Sequence, residues 1–283
     1  MAATSTVQAI IDGWDAGVSG TVVREGRATH VEHVWGTVVT LDIPGVAGRE
    51  TQVREAVGAC CALFAHVDRV FSTYKPLSEV TLHRNGLAHP GEQSDEFADV
   101  WAACEWLRGI TSGAFDPWAV PGGYDPSGYV KGWAAGLASD LLLDAGFADH
   151  LVNAGGDIMA RGDDLPGSGG GWAVGILDPR DPLSIIEVVT LHDEAMATSA
   201  RYERGDHVVD PHTGLPATGV DSVTVVGPDP GIVDAAASAV LVDGLAALTW
   251  FADLGEEHSL MLVIGDTAHT TGPAFDGDDE PGS

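Results

Sequence analysis

The sequence predicts an α+β fold in which mixed sheets pack against helices. Two kinds of apolar pattern occur along the 283-residue chain: the alternation typical of strands and the three-to-four spacing typical of helices. These segments follow one another in an irregular order, unlike the strict strand–helix alternation of a parallel sheet. The irregular order is what favours the α+β class.

The first half of the chain predicts strands followed by helices. Residues 21–43 alternate enough to predict two strands joined near Glu25 and Gly26. Apolar residues then recur at helical spacing, and Ser94 has the residue type and position of a helix cap. The predicted helices span 50–70, the residues that follow Ser94, and 130–144.

The second half predicts mainly strands, over 150–153, 172–177, 185–191, 220–226 and 259–264. A helix over 235–254 is interrupted at Gly244. We expect a loosely ordered extension over 1–20, one domain over 21–268 as a single unit or two intimate lobes, and a disordered acidic tail over 269–283.

The charge of the chain limits its partners. It contains 42 acidic and 13 basic residues, for a formal net charge of -29. A surface this acidic repels nucleic-acid phosphates and anionic lipid headgroups, so we expect neither nucleic acid nor a membrane surface as a partner. Two readings of the acidity stay open: an ordinary solvated surface, or adaptation to high salt.

Cysteine content and the N-terminus bear on the compartment. Cys60, Cys61 and Cys104 have neither the spacing of a metal motif nor that of a disulfide framework. Free thiols are typical of a reducing compartment. The first residues show no basic segment followed by an apolar one, as an export signal would. We therefore expect a cytoplasmic protein without a membrane span.

Carboxylates on predicted loops and on one helix indicate a site for a hard cation. Asp116, Asp125 and Asp157 lie on predicted loops, and Asp234 stands one helical turn before Ser238. A carboxylate and a hydroxyl on one helix face suit Mg²⁺ bound together with substrate phosphates. The residue types also allow Asp234 to be a helix cap, and Asp116 and Asp210 to be turn initiators.

Six short blocks stand in a fixed order along the chain. They are 71–79 (FSTYKPLSE), 113–117 (GAFDP), 125–132 (DPSGYVKG), 153–157 (NAGGD), 207–214 (HVVDPHTG) and 234–238 (DAAAS). In this order the blocks resemble the FAD:protein FMN transferases, the ApbE-like family, over roughly residues 30–265. The resemblance implies an ApbE-like fold and a site that binds flavin and a metal ion.

The resemblance assigns roles residue by residue. It implies metal ligation by Asp234, by Ser238, where the family has threonine, and by a backbone carbonyl that maps to Gly128. It implies contacts to the flavin nucleotide by Trp35, where the family usually has methionine, and by Tyr74, Ala114, Phe115, Asp116, Asp125, Lys131, Thr198, Ser199 and Ala237. Lys131 would neutralise diphosphate charge, and His207 is the candidate general base.

The sequence alone also allows three of these residues to have roles outside the site. Tyr74 could be a half-buried core residue, Lys131 a solvated surface residue, and His207 a structural histidine. The resemblance favours the site reading for the tyrosine, the scarcity of lysine in the chain weakens the surface reading of Lys131, and both readings of the histidine stay open.

The reaction implied by the resemblance is Mg²⁺-dependent transfer of FMN from FAD to a Ser or Thr hydroxyl of a partner flavoprotein, with release of AMP. FAD is then a substrate and Mg²⁺ the cofactor. Two alternatives stay open. Water could replace the acceptor, which would make the protein an FAD pyrophosphatase giving FMN and AMP, or the protein could be a non-catalytic flavin carrier.

Overall fold

The structure is a computed structural model, and it describes residues 19–200 and 208–276. The strands are β1 (Gly20–Arg24), β2 (Arg27–Val34), β3 (Thr37–Ile43), β4 (His150–Ala154), β5 (Asp157–Arg161), β6 (Trp172–Asp178), β7 (Asp181–Leu191), β8 (Ala195–Ala200), β9 (Ser222–Gly227), β10 (Ser259–Ile264) and β11 (Thr267–Thr271). The α-helices are α1 (Glu50–Phe71), α2 (Glu79–Arg84), α3 (Asp95–Ile110), α4 (Ser127–Asp144), α5 (Pro230–Asp243) and α6 (Leu248–Phe251).

One large sheet organises the molecule. Its nine strands are ordered β1-β2-β3-β4-β5-β8-β9-β10-β11, and β6 and β7 form a separate ribbon. Every pairing among these described strands is antiparallel. The antiparallel sheet with helices packed beside it confirms the α+β class predicted from the sequence.

The sheet separates two apolar cores. Helices α1, α4 and α5 cover one face, with α4 over β4 and β5 and α5 over β8 and β9. The β6–β7 ribbon covers part of the other face. Side chains alternate between the two cores along β5, because Met159 packs toward the helices while Ile158 packs toward the ribbon.

The N-terminal strands differ from the sequence prediction. Residues 21–43 contain three strands rather than two, because a second tight turn lies at Trp35 and Gly36. Both turn residues have positive φ, 57° and 71°. This is the backbone of a two-residue hairpin turn, which glycine and asparagine adopt far more readily than tryptophan. Because Trp35 is not a typical turn residue, the sequence pattern did not predict this turn.

Helix α5 also begins earlier than predicted. Asp229 is its cap, with a side-chain oxygen that accepts the Ile232 backbone N–H at 2.9 Å, and Pro230 occupies the first turn. Asp234 therefore lies inside the helix, and the reading of Asp234 as the helix cap is wrong. At the C-terminal end, β11 reaches Thr271, beyond the predicted domain boundary at residue 268.

The stretch Pro230–Leu254 is long and apolar enough to cross a membrane by length and composition. In this fold most of it is buried, and α5 ends where Gly244 adopts a φ of 58°. The stretch therefore has the character of a core helix.

Helices α4 and α5 cross at very short range. A Cβ atom on Gly132 would lie 2.0 Å from the carbonyl oxygen of Pro230, and one on Gly231 would lie 2.7 Å from the Tyr129 ring. A side chain at residue 132 would push the two helices apart, and one at residue 231 would displace the Tyr129 ring. The absence of these side chains brings the start of α5 against the second turn of α4.

Gly132→Ala should destabilise the protein by about 3 kcal/mol, because the methyl group overlaps a backbone atom that cannot rotate away. Urea unfolding measures the change. The matched control is Gly58→Ala on α1, where nothing lies within 4 Å of a new Cβ atom. That substitution should stabilise by up to about 1 kcal/mol through helix propensity. Equal effects at both positions would contradict the close crossing.

Candidate functional site

A groove of about 320 Å³ opens where the end of α1, the β2–β3 turn and the start of α4 meet. Trp35 contributes from the turn, Phe71 and Tyr74 from the end of α1 and the residues after it, and Lys131 from α4. The volume is at the lower end of the range for ligand sites, so the groove can hold part of a dinucleotide rather than all of it.

Lys131 joins two buried carboxylates at the inner end of this groove. Its Nζ lies 2.6 Å from Asp157 Oδ2, and 3.1 Å and 2.9 Å from the two Asp234 oxygens. The side chains of Asp157 and Asp234 are only 6% and 5% exposed. We call these three residues the acidic cluster. Lys131 is thus a partly buried ion-pair partner, and the reading of it as a solvated surface lysine is wrong.

Local structure explains why the acidic cluster forms. Lys131 immediately precedes Gly132, the residue at the helix crossing, so it faces the start of α5. Asp234 lies in that part of α5, and its Oδ2 accepts a longer hydrogen bond, 3.4 Å, from the Gly132 N–H. Asp157 is the first residue of β5, directly after the Gly155–Gly156 turn.

The acidic cluster carries one more negative charge than positive charge. Burial lowers the pKa of Lys131, but the two carboxylates outweigh it and hold the pKa above its ordinary value. Burial, followed by the charge of Asp157, raises the pKa of Asp234 well above its ordinary value despite the opposing lysine. The elevated pKa indicates that this site favours additional positive charge.

The other two predicted metal ligands, Ser238 and Gly128, lie close to Asp234 of the acidic cluster. Ser238 stands one turn after Asp234, and its Oγ lies 3.3 Å from Ser199 Oγ. A Cβ on Gly128 would lie 3.8 Å from Ser238 Oγ, so the first turn of α4 passes directly over this hydroxyl. These three positions supply oxygen donors only, which suits a hard divalent cation.

The predicted aromatic contacts frame the groove. The Tyr74 side chain is 94% exposed, so the reading of this residue as half-buried core is wrong. Trp35 is partly buried, with Nε1 donating to the Phe64 carbonyl at 3.2 Å and its ring edge-to-face with the Phe64 ring. One ring is therefore fixed and the other is free to stack on a ligand.

Residues 114–116 lie next to the predicted metal ligand Gly128, and two of them are buried in the core. Ala114 and Phe115 are buried in the main core, and the Phe115 ring lies against Gly128. Asp116 accepts from Arg108 Nε at 2.7 Å and from the Trp118 N–H at 2.9 Å. The second bond is that of a turn initiator.

Four other predicted site residues are held in place by contacts within the protein. Asp125 accepts from the Ser127 N–H at 3.0 Å and pairs with Arg84 at 3.3 Å. Thr198 shares a 2.9 Å hydroxyl–hydroxyl contact with Thr224, while Ala237 is fully buried. The Ser199 hydroxyl lies within hydrogen-bond distance of a predicted metal ligand, Ser238, and Ala237 directly precedes that ligand in the chain.

His207 lies outside the described residues, so its role stays a prediction. The residues that follow it form a turn: Asp210 accepts from the His212 N–H at 2.8 Å and from the Thr213 hydroxyl at 2.9 Å. Asp210 is therefore a turn initiator. The His212 ring lies against Gly113, which brings this turn next to the 113–117 block.

The sequence interpretation did not place Asp157 in the site. The sequence groups Asp157 with the loop carboxylates that suit a hard cation but assigns it no specific contact, although the paired glycines before it and the scarcity of lysine are both visible signals. Only the pairing of β5 with β4 and β8 shows that this carboxylate faces Lys131.

A second and larger cavity, of about 690 Å³, lies at the opposite end of the sheet, between α6 and strands β10 and β11. Its lining begins at Leu245, beyond the last of the six sequence blocks. The smaller groove, which ends at the acidic cluster, is therefore the better candidate for the functional site.

Comparisons with known proteins agree with the resemblance. The model of the ApbE family matches residues 123–262. This match includes the three residues of the acidic cluster and all three predicted metal ligands, whereas Trp35, Tyr74 and residues 114–116 precede it.

Two curated relatives carry the name FAD:protein FMN transferase. The Rhodobacter capsulatus relative is 37% identical over 129 residues, which cover 42% of this chain and 24% of the relative. The Vibrio cholerae relative is 32% identical over 152 residues, which cover 50% of this chain and 45% of the relative. The matched segments thus span less than half the length of each relative.

A solved structure, described as the flavin transferase ApbE from Vibrio cholerae, has the same fold. It superposes with a TM-score of 0.73 at 21% identity, and the superposition covers 90% of this chain and 98% of that one. The agreement in fold extends well beyond the segment that the family model matches.

Lys131→Met should destabilise the protein by about 3 kcal/mol or more, because two buried carboxylates lose their shared cation. Lys75→Met is the matched control, since Lys75 pairs with Asp68 at the surface and its side chain is 49% exposed. That change should cost below about 1 kcal/mol. Urea unfolding near neutral pH compares the two, and equal costs would show that the buried cluster does not depend on Lys131.

Proposed function

We propose that the chain is an FAD:protein FMN transferase, because the ApbE family model matches residues 123–262 and two curated relatives carry that name. In the proposed reaction, a Ser or Thr hydroxyl of a partner flavoprotein attacks the phosphorus of the FMN half of FAD. The bond from that phosphorus to the bridging oxygen breaks, AMP leaves, and a base accepts the hydroxyl proton. The observation that carries this proposal is the acidic cluster at the inner end of an aromatic-lined groove.

A divalent cation fits the residues present. The acidic cluster has an excess negative charge, and burial together with the charge of Asp157 raises the pKa of Asp234, so neutralising the Asp234 carboxylate is favourable. We propose that Mg²⁺ is held by the Asp234 carboxylate, the Ser238 hydroxyl and the Gly128 carbonyl. When bound, Mg²⁺ would neutralise charge on the diphosphate and stabilise the charge that develops during phosphoryl transfer.

Lys131 has a positioning role in this proposal as well as an electrostatic one. Its ammonium group holds Asp157 and Asp234 in fixed orientations through contacts of 2.6–3.1 Å. The same charge lies next to the groove, where it would offset part of the negative charge of the diphosphate. Positioning and electrostatics of this kind account for much of the catalysis in phosphoryl transfer.

The groove offers aromatic side chains against which a planar ring can bind. Tyr74 is 94% exposed, and the fixed Trp35 ring forms another part of the lining. A flavin or adenine ring placed against these residues gains stacking and apolar contact. The open groove also leaves room for a segment of the acceptor protein beside the diphosphate.

His207 is our candidate for the base that accepts the hydroxyl proton, on the strength of its block and of histidine chemistry near neutral pH. The turn that follows it lies beside the 113–117 block, whose Phe115 ring contacts Gly128.

We also propose a cytoplasmic location, in agreement with the sequence expectation.

Asp234→Asn should reduce FMN transfer by about 10²-fold or more, because it removes the carboxylate charge that would hold Mg²⁺. The assay incubates the protein with FAD, Mg²⁺ and an acceptor domain that carries a candidate Thr, and records intact masses. The parent should add one FMN unit to the acceptor, and a chelator should prevent this.

The matched control is Asp229→Asn, which preserves a good cap on the same helix and should transfer at nearly the parent rate. Equal transfer by the Asp234→Asn variant and the parent would refute the metal assignment. Free FMN and AMP without an adduct would favour the pyrophosphatase, and intact FAD would favour the carrier.

A further inference from the structure

A second group of metal-binding side chains lies outside the groove. His30 and Glu32 belong to β2, and Cys61 belongs to α1, which packs across that strand. We call these three residues the Cys–His–Glu cluster. They belong to none of the six sequence blocks, and the proposed transfer reaction makes no use of them.

The three side chains meet at one point. His30 Nε2 lies 3.2 Å from Cys61 Sγ and 3.1 Å from Glu32 Oε2, and Cys61 Sγ lies 3.5 Å from that same oxygen. One thiol, one imidazole nitrogen and one carboxylate oxygen therefore form a nearly equilateral triangle.

This triangle matches one face of a zinc tetrahedron. Zinc bonds of about 2.3 Å to sulfur and about 2.0 Å to nitrogen and oxygen, at tetrahedral angles, place sulfur about 3.5 Å from each of the other two atoms and those two about 3.3 Å apart. The observed separations of 3.2, 3.5 and 3.1 Å lie within a few tenths of an ångström of those values. Only small side-chain movements are needed to admit the ion.

The scaffold holds these ligands in place. Residues two apart on a strand point to the same face of the sheet, so His30 and Glu32 both face α1. The His30 ring is buried, and its Nδ1 lies 2.9 Å from the Thr21 hydroxyl of the neighbouring strand. A partner on the far ring nitrogen is the usual support of a metal-binding histidine.

We propose that the Cys–His–Glu cluster is a zinc site, with water as the fourth ligand. Sulfur and nitrogen donors select zinc over Mg²⁺, which prefers the oxygen donors beside the acidic cluster. The protein would thus hold two chemically distinct cation sites. The partial exposure of Glu32 and Cys61 gives the ion and its water a path from solvent.

The position of the zinc site connects it to the groove. Phe64, one turn after Cys61 on α1, accepts the hydrogen bond from Trp35, which directly follows β2. A zinc ion joining β2 to α1 would fix the strand and the helix that hold this tryptophan. Its effect on the flavin groove would be structural.

Cobalt titration tests the proposal, because Co²⁺ occupies zinc sites and its thiolate bond gives a charge-transfer absorption that oxygen sites lack. When Co²⁺ is added to metal-free protein, prepared with a chelator and a reductant, this band should grow until one equivalent of Co²⁺ is present. Zn²⁺ should then displace the cobalt and remove the band. Cys61→Ser should remove the band and weaken zinc binding by about 100-fold or more. Circular dichroism would verify that each variant is folded.

Two controls make the result specific to Cys61. Cys60→Ser should retain the band, since Cys60 is fully buried and its thiol donates to the Ala138 carbonyl. In the parent, one equivalent of Zn²⁺ should protect Cys61 from a thiol-modifying reagent. A missing cobalt band in the folded parent, or the same band in Cys61→Ser, would overturn the proposal.

Discussion

The close crossing of α4 and α5 is the constraint on which the site depends. Gly132 lets the Pro230 carbonyl approach to a distance that any side chain would prevent. Lys131, the preceding residue, is thereby brought to within 2.9 Å of Asp234 on the other helix. The six blocks lie far apart in sequence, and two of them, 125–132 and 234–238, meet at this crossing. A backbone contact between two helices thus determines where the charges lie.

Charge balance follows from that geometry. One ammonium group faces two carboxylates in a place where water is largely excluded, and burial makes the uncompensated charge costly. A proton can relieve it, as the raised pKa of Asp234 indicates, and a divalent cation would do so more fully. The same excess of negative charge that recruits a cation would repel a bare diphosphate. In our account the metal ion and the nucleotide therefore stabilise each other at the site.

Local patterns in the sequence predicted much of the fold, and contacts between distant residues explain what they missed. The apolar spacing over 50–70 and the capping role of Ser94 are confirmed by α1 and α3. The start of α5 was missed because Pro230 and Gly231 resemble a break, although proline is favoured in the first turn. The partner of Asp157 could not be predicted, since it depends on the pairing of β5 within a nine-stranded sheet. The Cys–His–Glu cluster is hidden for the same reason: its members lie on different elements.

The central claim is that Asp234, Ser238 and the Gly128 carbonyl bind a cation beside the diphosphate of FAD. Anomalous diffraction from crystals grown with FAD and Mn²⁺, a usual substitute for Mg²⁺, tests this most directly. Our account predicts one strong peak at the groove, bonded to an Asp234 oxygen, to Ser238 Oγ and to a phosphate oxygen of FAD. A crystal with FAD in the groove but no peak at Asp234, and with Lys131 still spanning both carboxylates, would contradict it.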